Sequence, residues 1–164
     1  GNWVELDQGS PFVIIGNSFG DEEKELAEYI NQNDLAKYVM LQGYIQNDFL
    51  KKFFEDANVG VSYIPIMECF KNQPPTKTYE YLLSGLPVIA TKTNEHTKIV
   101  NEKCGVLIDD KIEDFVNGLN HIVKMRSSFN SKEIKGLYKE NLWENIVLHN
   151  LKPYLLEKIV KDPL

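Results

Sequence analysis

Short apolar runs alternate with amphipathic stretches along the whole chain, and this rhythm constrains the fold more than any other feature. Pro11-Phe-Val-Ile-Ile-Gly16 is β-branched, apolar and closed by glycine, as a buried strand is. Tyr38–Gln42, Asn58–Tyr63, Pro87–Thr91 and Gly105–Ile108 read the same way. Between them lie helical patterns. Asp21 precedes Glu22 and Glu23 as a helix cap, and Leu26, Tyr29 and Ile30 follow on one face. Phe49, Leu50, Phe53 and Phe54 mark a second helix, opened by Asn47 or Asp48. A third runs from Thr76 to Leu83 and stops at Ser84-Gly85. Thr97–Glu102 is one or two helical turns, and Ile112, Phe115, Val116, Leu119, Ile122 and Val123 form a stripe over 111–125. Ser131–Tyr138 is a short helix. Asn141 caps a last one carrying Trp143, Ile146, Val147, Leu151, Tyr154 and Leu155, with Pro153 as a kink or boundary.

Strands and helices alternating at this spacing imply an α/β, Rossmann-like fold. Its parallel sheet of about five strands has helices on both faces, with added C-terminal helices. Residues 11–125 form this domain, and 126–164 are helices packing on it. The chain opens Gly1-Asn2-Trp3 without Met, so 1–10 reads as a cut end or truncated linker. Ligands of such sheets bind outside the carboxyl ends of the strands. Function is therefore expected in the loops after Gly16, Gly43, Tyr63, Thr91 and Ile108.

Composition narrows the classes. Lys and Arg total 18 against 24 Asp and Glu, a net charge of −6, which argues against a nucleic-acid module. A local basic pocket is still compatible with that total. Cys69 and Cys104 form no CxxC, which excludes a disulfide framework or zinc ribbon; both read as small apolar residues. A reducing compartment fits. The apolar runs, such as Phe12–Ile15, fall far short of the ~20 residues that span a bilayer. His96, His121 and His149 match no metal spacing, and Asp109-Asp110 reads as a helix cap, so no metal is expected. His121 sits beside the apolar stripe as a helix-surface residue.

The loop Ile64–Pro75 has twelve residues, three of them proline, and leads into Thr76-Lys77-Thr78. A loop of that length is often functional. A helix start offers unpaired N–H groups to an anion, here with two hydroxyls and an ammonium added. Glu80, three residues after Lys77, could accept hydrogen bonds from the two hydroxyls of a ribose. The same residues also fit a plain helix start, with Thr76 as cap and Lys77–Glu80 a solvated pair.

Pro75-Thr-Lys-Thr-Tyr-Glu-Tyr-Leu-Leu-Ser-Gly-Leu-Pro-Val-Ile-Ala90 resembles the donor-site segment of retaining GT-B glycosyltransferases of the family 4, group 1 type. That family's pattern is close to P-[ST]-K-x-x-E-Y-x-A-x-G-x-P-V-I-A. Phe12–Leu26, Val39–Ala57, Asn94–Asp109 and Trp143–Ile146 resemble its successive flanking units, so the likeness covers about residues 11–160. It implies the C-terminal, donor-binding half of a GT-B fold. Glu80 would bind the ribose, Thr76 and Lys77 the diphosphate, and Gly43, Tyr44 and Ile45 would lie near the base. The family's glutamate eight positions before the ribose carboxylate is Asn72 here, with Glu68 nearby; these two are the candidates beside the donor sugar. The upstream unit that usually supplies an Arg and a Lys is not among the ten residues before Pro11, and neither is the N-terminal acceptor domain. No catalytic residue is assigned, and the fragment alone is expected to be inactive.

The resemblance further implies hexose transfer with retention from a UDP or GDP sugar, in bacterial lipopolysaccharide, capsule or exopolysaccharide synthesis. It implies no cofactor beyond the donor, and a cytoplasmic location with membrane contact only through the missing half. The rival reading is a non-catalytic flavodoxin-like or assembly domain whose 64–75 loop meets a protein partner. A receiver module would carry acids where Gly16-Asn17 and Tyr63-Ile64 stand.

Overall fold

The computed structural model of the chain describes residues 11–18 and 20–161. The 1–10 stretch read as a truncated linker lies outside them. The chain divides into two compact units, Gly1–Asp56 and Ala57–Leu164. This division cuts across the single domain expected over residues 11–125. The boundary falls at Asp56-Ala57, where no Pro-, Gly- or Ser-rich run announces it.

The first unit holds β1 (Phe12–Ile14), α1 (Glu22–Gln32), β2 (Val39–Leu41) and α2 (Asn47–Asp56). β1 and β2 pair in parallel with Val13 opposite Met40. Asp21 precedes α1 but makes no side-chain cap; instead Ser18 Oγ accepts the Glu23 N–H at 3.3 Å. Among the described residues of this unit only Ile30 is buried, because the strands are three residues long and the helices strongly charged.

The second unit is built around β3 (Gly60–Ser62), β4 (Val88–Thr91) and β5 (Gly105–Ile108), all parallel with β4 in the middle. All four residues of β4 are buried, so its side chains serve both faces. Val88 and Ala90 pack with Leu82 of α3 (Thr76–Ser84) and with Ile134 and Tyr138 of α6 (Ser131–Tyr138). Ile89 packs the other way, with Ile108 and with Ile122 of α5 (Ile112–Lys124). Helices on both faces of a parallel sheet are the expected architecture, and all five expected strands are present.

Two glycines set close approaches. Gly85 ends α3 at φ +83°, where a Cβ would also lie 2.1 Å from Ser131 Oγ. Its N–H and that of Leu86 donate to the Leu82 and Tyr81 carbonyls, closing the helix as the Ser-Gly stop predicts. At Gly60 a Cβ would stand 2.4 Å from the Tyr81 ring, so α3 rests directly on the β3 backbone.

Beyond β5 the expectations need some correction. Asp109-Asp110 does not cap α5; the residue before that helix is Lys111, and Asp110 Oδ2 accepts the Ile66 N–H at 2.9 Å. α4 (His96–Ile99) starts one residue earlier than expected. Asn141 does not cap a helix but closes a 3-10 turn, Lys139–Asn141. There follow α7 (Trp143–Ile146), a π turn over Val147–Leu151, and α8 (Lys152–Lys161). Pro153 cannot donate to the carbonyl four residues back, and the widened turn sits just before it. α6 packs into the core, but no described side chain from 142 to 159 is buried. Cys104 is buried as expected of a small apolar residue; Cys69 is exposed. His121 lies on the α5 surface. Among the described residues no helix is long and apolar enough to cross a membrane, and no group of side chains is arranged to hold a metal.

Candidate functional site

Three parallel strands deliver their carboxyl ends to the loops that begin at Tyr63, Lys92 and Asp109. The long loop after β3 is held at both ends. Thr91, the last residue of β4, accepts the Ile64 N–H at 2.9 Å and donates to the Ile64 carbonyl at 2.6 Å. At the far end the Asn94 N–H donates to the Lys71 carbonyl, and Asn94 Nδ2 donates to Asn72 Oδ1 at 2.9 Å. Thus ordered, the loop borders an open cleft of about 250 Å³ with Tyr63, Pro65, Phe70, Gln73, Thr76 and Lys77 in its lining.

α3 opens on that cavity. Its flanking residue is Pro75, and no side chain caps it. Thr76 lies inside the first turn, so its reading as a cap is not met. Thr76, Lys77 and Glu80 are exposed, and among the described residues none makes a side-chain hydrogen bond or ion pair. The Thr76 and Thr78 N–H groups donate to the Pro74 and Pro75 carbonyls, so what α3 offers a ligand at its start is the Thr76 hydroxyl, the Lys77 ammonium and, one turn on, the Glu80 carboxylate. Burial first, and the neighbouring Glu80 carboxylate second, push the Tyr81 phenol above its usual value.

The sugar-side candidates are already engaged. Asn72 is bonded to Asn94, and Glu68 is paired with Lys71 at 2.6 Å on the surface. Neither lines the cavity. Gly43, Tyr44 and Ile45 follow β2 in the other unit. Gly43 has φ +61° and borders a second cavity of about 250 Å³, lined also by Ile14, Asn17, Ser18, Glu23 and Leu26. Tyr44 is 68% exposed and Ile45 half-buried.

Sequence reasoning missed a polar cluster beneath the α3 start. Ser62 ends β3, Thr78 lies in the first turn of α3, and His96 opens α4; all three are fully buried. Thr78 Oγ1 donates to Ser62 Oγ at 2.7 Å. Both hydroxyls lie near His96 Nε2, at 3.0 and 3.1 Å. His96 Nδ1 faces the Thr91 carbonyl at 2.7 Å. A carbonyl only accepts, so Nδ1 carries the proton, and Nε2 of the neutral ring is the acceptor. Burial holds the imidazole below its usual value. The Thr91 carbonyl works against that shift, and the Lys77 ammonium adds to it. The one available signal was two polar residues, Ser62 and Thr91, ending otherwise apolar strands.

The sequence of residues 4–125 matches the family of glycosyl transferases group 1. The chain belongs to that family. Its fold is that of the C-terminal half of a GT-B fold, as comparison with solved structures bears out. HepE of Anabaena, solved with UDP and glucose, is 15% identical over 90% of this chain with a TM-score of 0.69. Sucrose-phosphate synthase of Thermosynechococcus elongatus is 20% identical over 90% of it, TM-score 0.66. TarM of S. aureus, solved with UDP, is 23% identical over 94% of it, TM-score 0.63. At these identities the likeness is one of fold. This group 1 chain spans 40%, 38% and 29% of those three structures' chains. No curated protein sequence matches it.

Proposed function

We propose that this chain is the donor-binding part of a glycosyltransferase that moves a hexose-type sugar, with retention, from a UDP or GDP donor. The observation that carries the reading is the uncapped start of α3, with Thr76 and Lys77 on a cavity at the strand ends and Glu80 exposed one turn on. The Thr76 hydroxyl, the Lys77 ammonium and the positive end of the α3 dipole suit a diphosphate. Glu80 suits the two ribose hydroxyls. Family membership supports the class of reaction. HepE and TarM, of similar fold, were each solved with UDP.

In the mechanism this supports, negative charge grows on the leaving diphosphate as the glycosidic bond breaks. Lys77 and the α3 dipole stabilise that charge without rearranging, the kind of contribution that supplies most of the rate in such sites. The acceptor, its general base and further cations for the diphosphate come from the rest of the polypeptide. No cofactor beyond the donor is needed. Synthesis of a bacterial surface polysaccharide at the cytoplasmic side of the membrane is the proposed setting, on family resemblance.

Titration of the chain with UDP and GDP tests the reading. A ribose-holding carboxylate makes charge-assisted hydrogen bonds worth roughly 1.5–3 kcal/mol each, so Glu80→Ala should weaken binding about tenfold or more. Unchanged affinity in Glu80→Ala would remove the ribose assignment. Absence of binding to either nucleotide, in this chain and in the full-length protein, would sink the donor reading and favour an assembly role.

A further inference from the structure

The Ser62–Thr78–His96 cluster joins three elements at one point: the end of β3, the first turn of α3 and the start of α4. The Thr91 carbonyl adds the end of β4. Every buried side-chain polar atom among the described residues has a partner, so this network is complete without a ligand. Completeness matters, because a buried network is rigid only when each member is satisfied. Thr78 lies between Lys77 and Glu80, and a displacement of its Cα carries both with it. The helix has no side-chain cap; apart from this cluster its start is held by the backbone, with the Thr76 and Thr78 N–H groups donating to the Pro74 and Pro75 carbonyls.

We propose that Ser62, Thr78 and His96 are positioning residues, which pin the first turn of α3 to the strand ends and so hold Lys77 and Glu80 where a nucleoside diphosphate meets them. This rests on the donor reading for the identity of the ligand, but not for the pinning itself. Neither Thr78 nor His96 reaches the cavity lining, so their effect on a ligand passes through α3. The network fixes the His96 tautomer through Thr91, which leaves Nε2 free to receive a hydroxyl proton.

The test compares Thr78→Val, Thr78→Ser and Ile122→Val in the same chain. Valine keeps the shape and loses the hydroxyl; serine keeps the hydroxyl. Ile122 is buried on the opposite face of the sheet and serves as a control that loosens the core without touching α3. Two quantities are read: the dissociation constant for UDP or GDP, and amide hydrogen exchange at 76–80. Thr78→Val should weaken nucleotide binding about fivefold or more and speed exchange at 76–80, with both restored in Thr78→Ser. Ile122→Val should lower the unfolding midpoint and move neither. Ser62→Ala, which cuts the link from the strand side, should repeat the Thr78→Val result and replaces it if that variant does not fold. Thr78→Val behaving like Ile122→Val would overturn the proposal. If the unaltered chain binds neither nucleotide, the binding comparison moves to the full-length protein, and the donor reading fails separately when that protein binds neither as well. Exchange at 76–80 then decides the pinning alone: unchanged exchange overturns it, faster exchange upholds it.

Discussion

An imidazole enclosed by two hydroxyls and a carbonyl, with an ammonium nearby, is stable as the neutral ring. His96 is in that position, its pKa held below the ordinary 6.5 mainly by burial. The native state therefore stays neutral at a pH where the unfolded chain has already taken up a proton. The stability that follows is complete above about 6.5 and is lost as pH falls through the folded-state value. The unfolding midpoint in denaturant should drop more steeply from about pH 7 to about pH 5 in the unaltered chain than in His96→Gln; parallel slopes would show that His96 does not titrate this way. Gly85 makes a prediction of a different kind. Gly85→Ala adds a Cβ at φ +83° and against Ser131, so it should cost more than about 1 kcal/mol in denaturant melts. The two residues differ in legibility. Gly85 announces itself in Ser-Gly-Leu-Pro, because an αL stop and a following proline are local events. His96 Nε2 meets its two hydroxyl partners 18 and 34 residues away, so the buried cluster is not marked in the local sequence.

At the scale of elements, β4 and α3 carry the core and the candidate site together. Leu82 of α3 is fully buried against β4. Leu82→Ala should cost about 2–5 kcal/mol, as large-to-small core changes do, and unfolding by urea would measure it. The stretch 142–159 contrasts with this. Trp143 is 78% exposed, Ile159 65%, and no described side chain between them is buried. A chain ended at Asn141 should keep the urea midpoint of the second unit and bind less of an apolar dye; a midpoint loss as large as that of Leu82→Ala would refute this. Strand and helix positions were legible because periodicity reports burial directly. The caps were not. Ser18, not Asp21, bonds the start of α1, and Asp110 serves the 64–75 loop instead of α5. A carboxylate near a helix start has several possible partners, and only the three-dimensional path of the loops selects one.

For the whole molecule, the division at Asp56-Ala57 separates two units of unequal burial. The first has Ile30 as its buried residue among those described, whereas the second is organised around a fully buried strand. Local stability follows buried apolar contact. Amides of 11–56 should therefore exchange at lower denaturant than those of 57–140, and a single shared transition would contradict that. The start of α3 was legible as a motif, and its Thr76, Lys77 and Glu80 are exposed. The partition was not, because both units use the same βα pattern and the junction has no distinctive composition.

One consequence follows from the bare backbone of Gly60 under the Tyr81 ring. The gap between α3 and β3 has room for an aromatic ring or a side chain beneath it, not both. Positions 60 and 81 are thus bound to change together. A homologue with alanine or valine at 60 should carry a smaller residue at 81, or else hold the whole of α3 farther from the sheet.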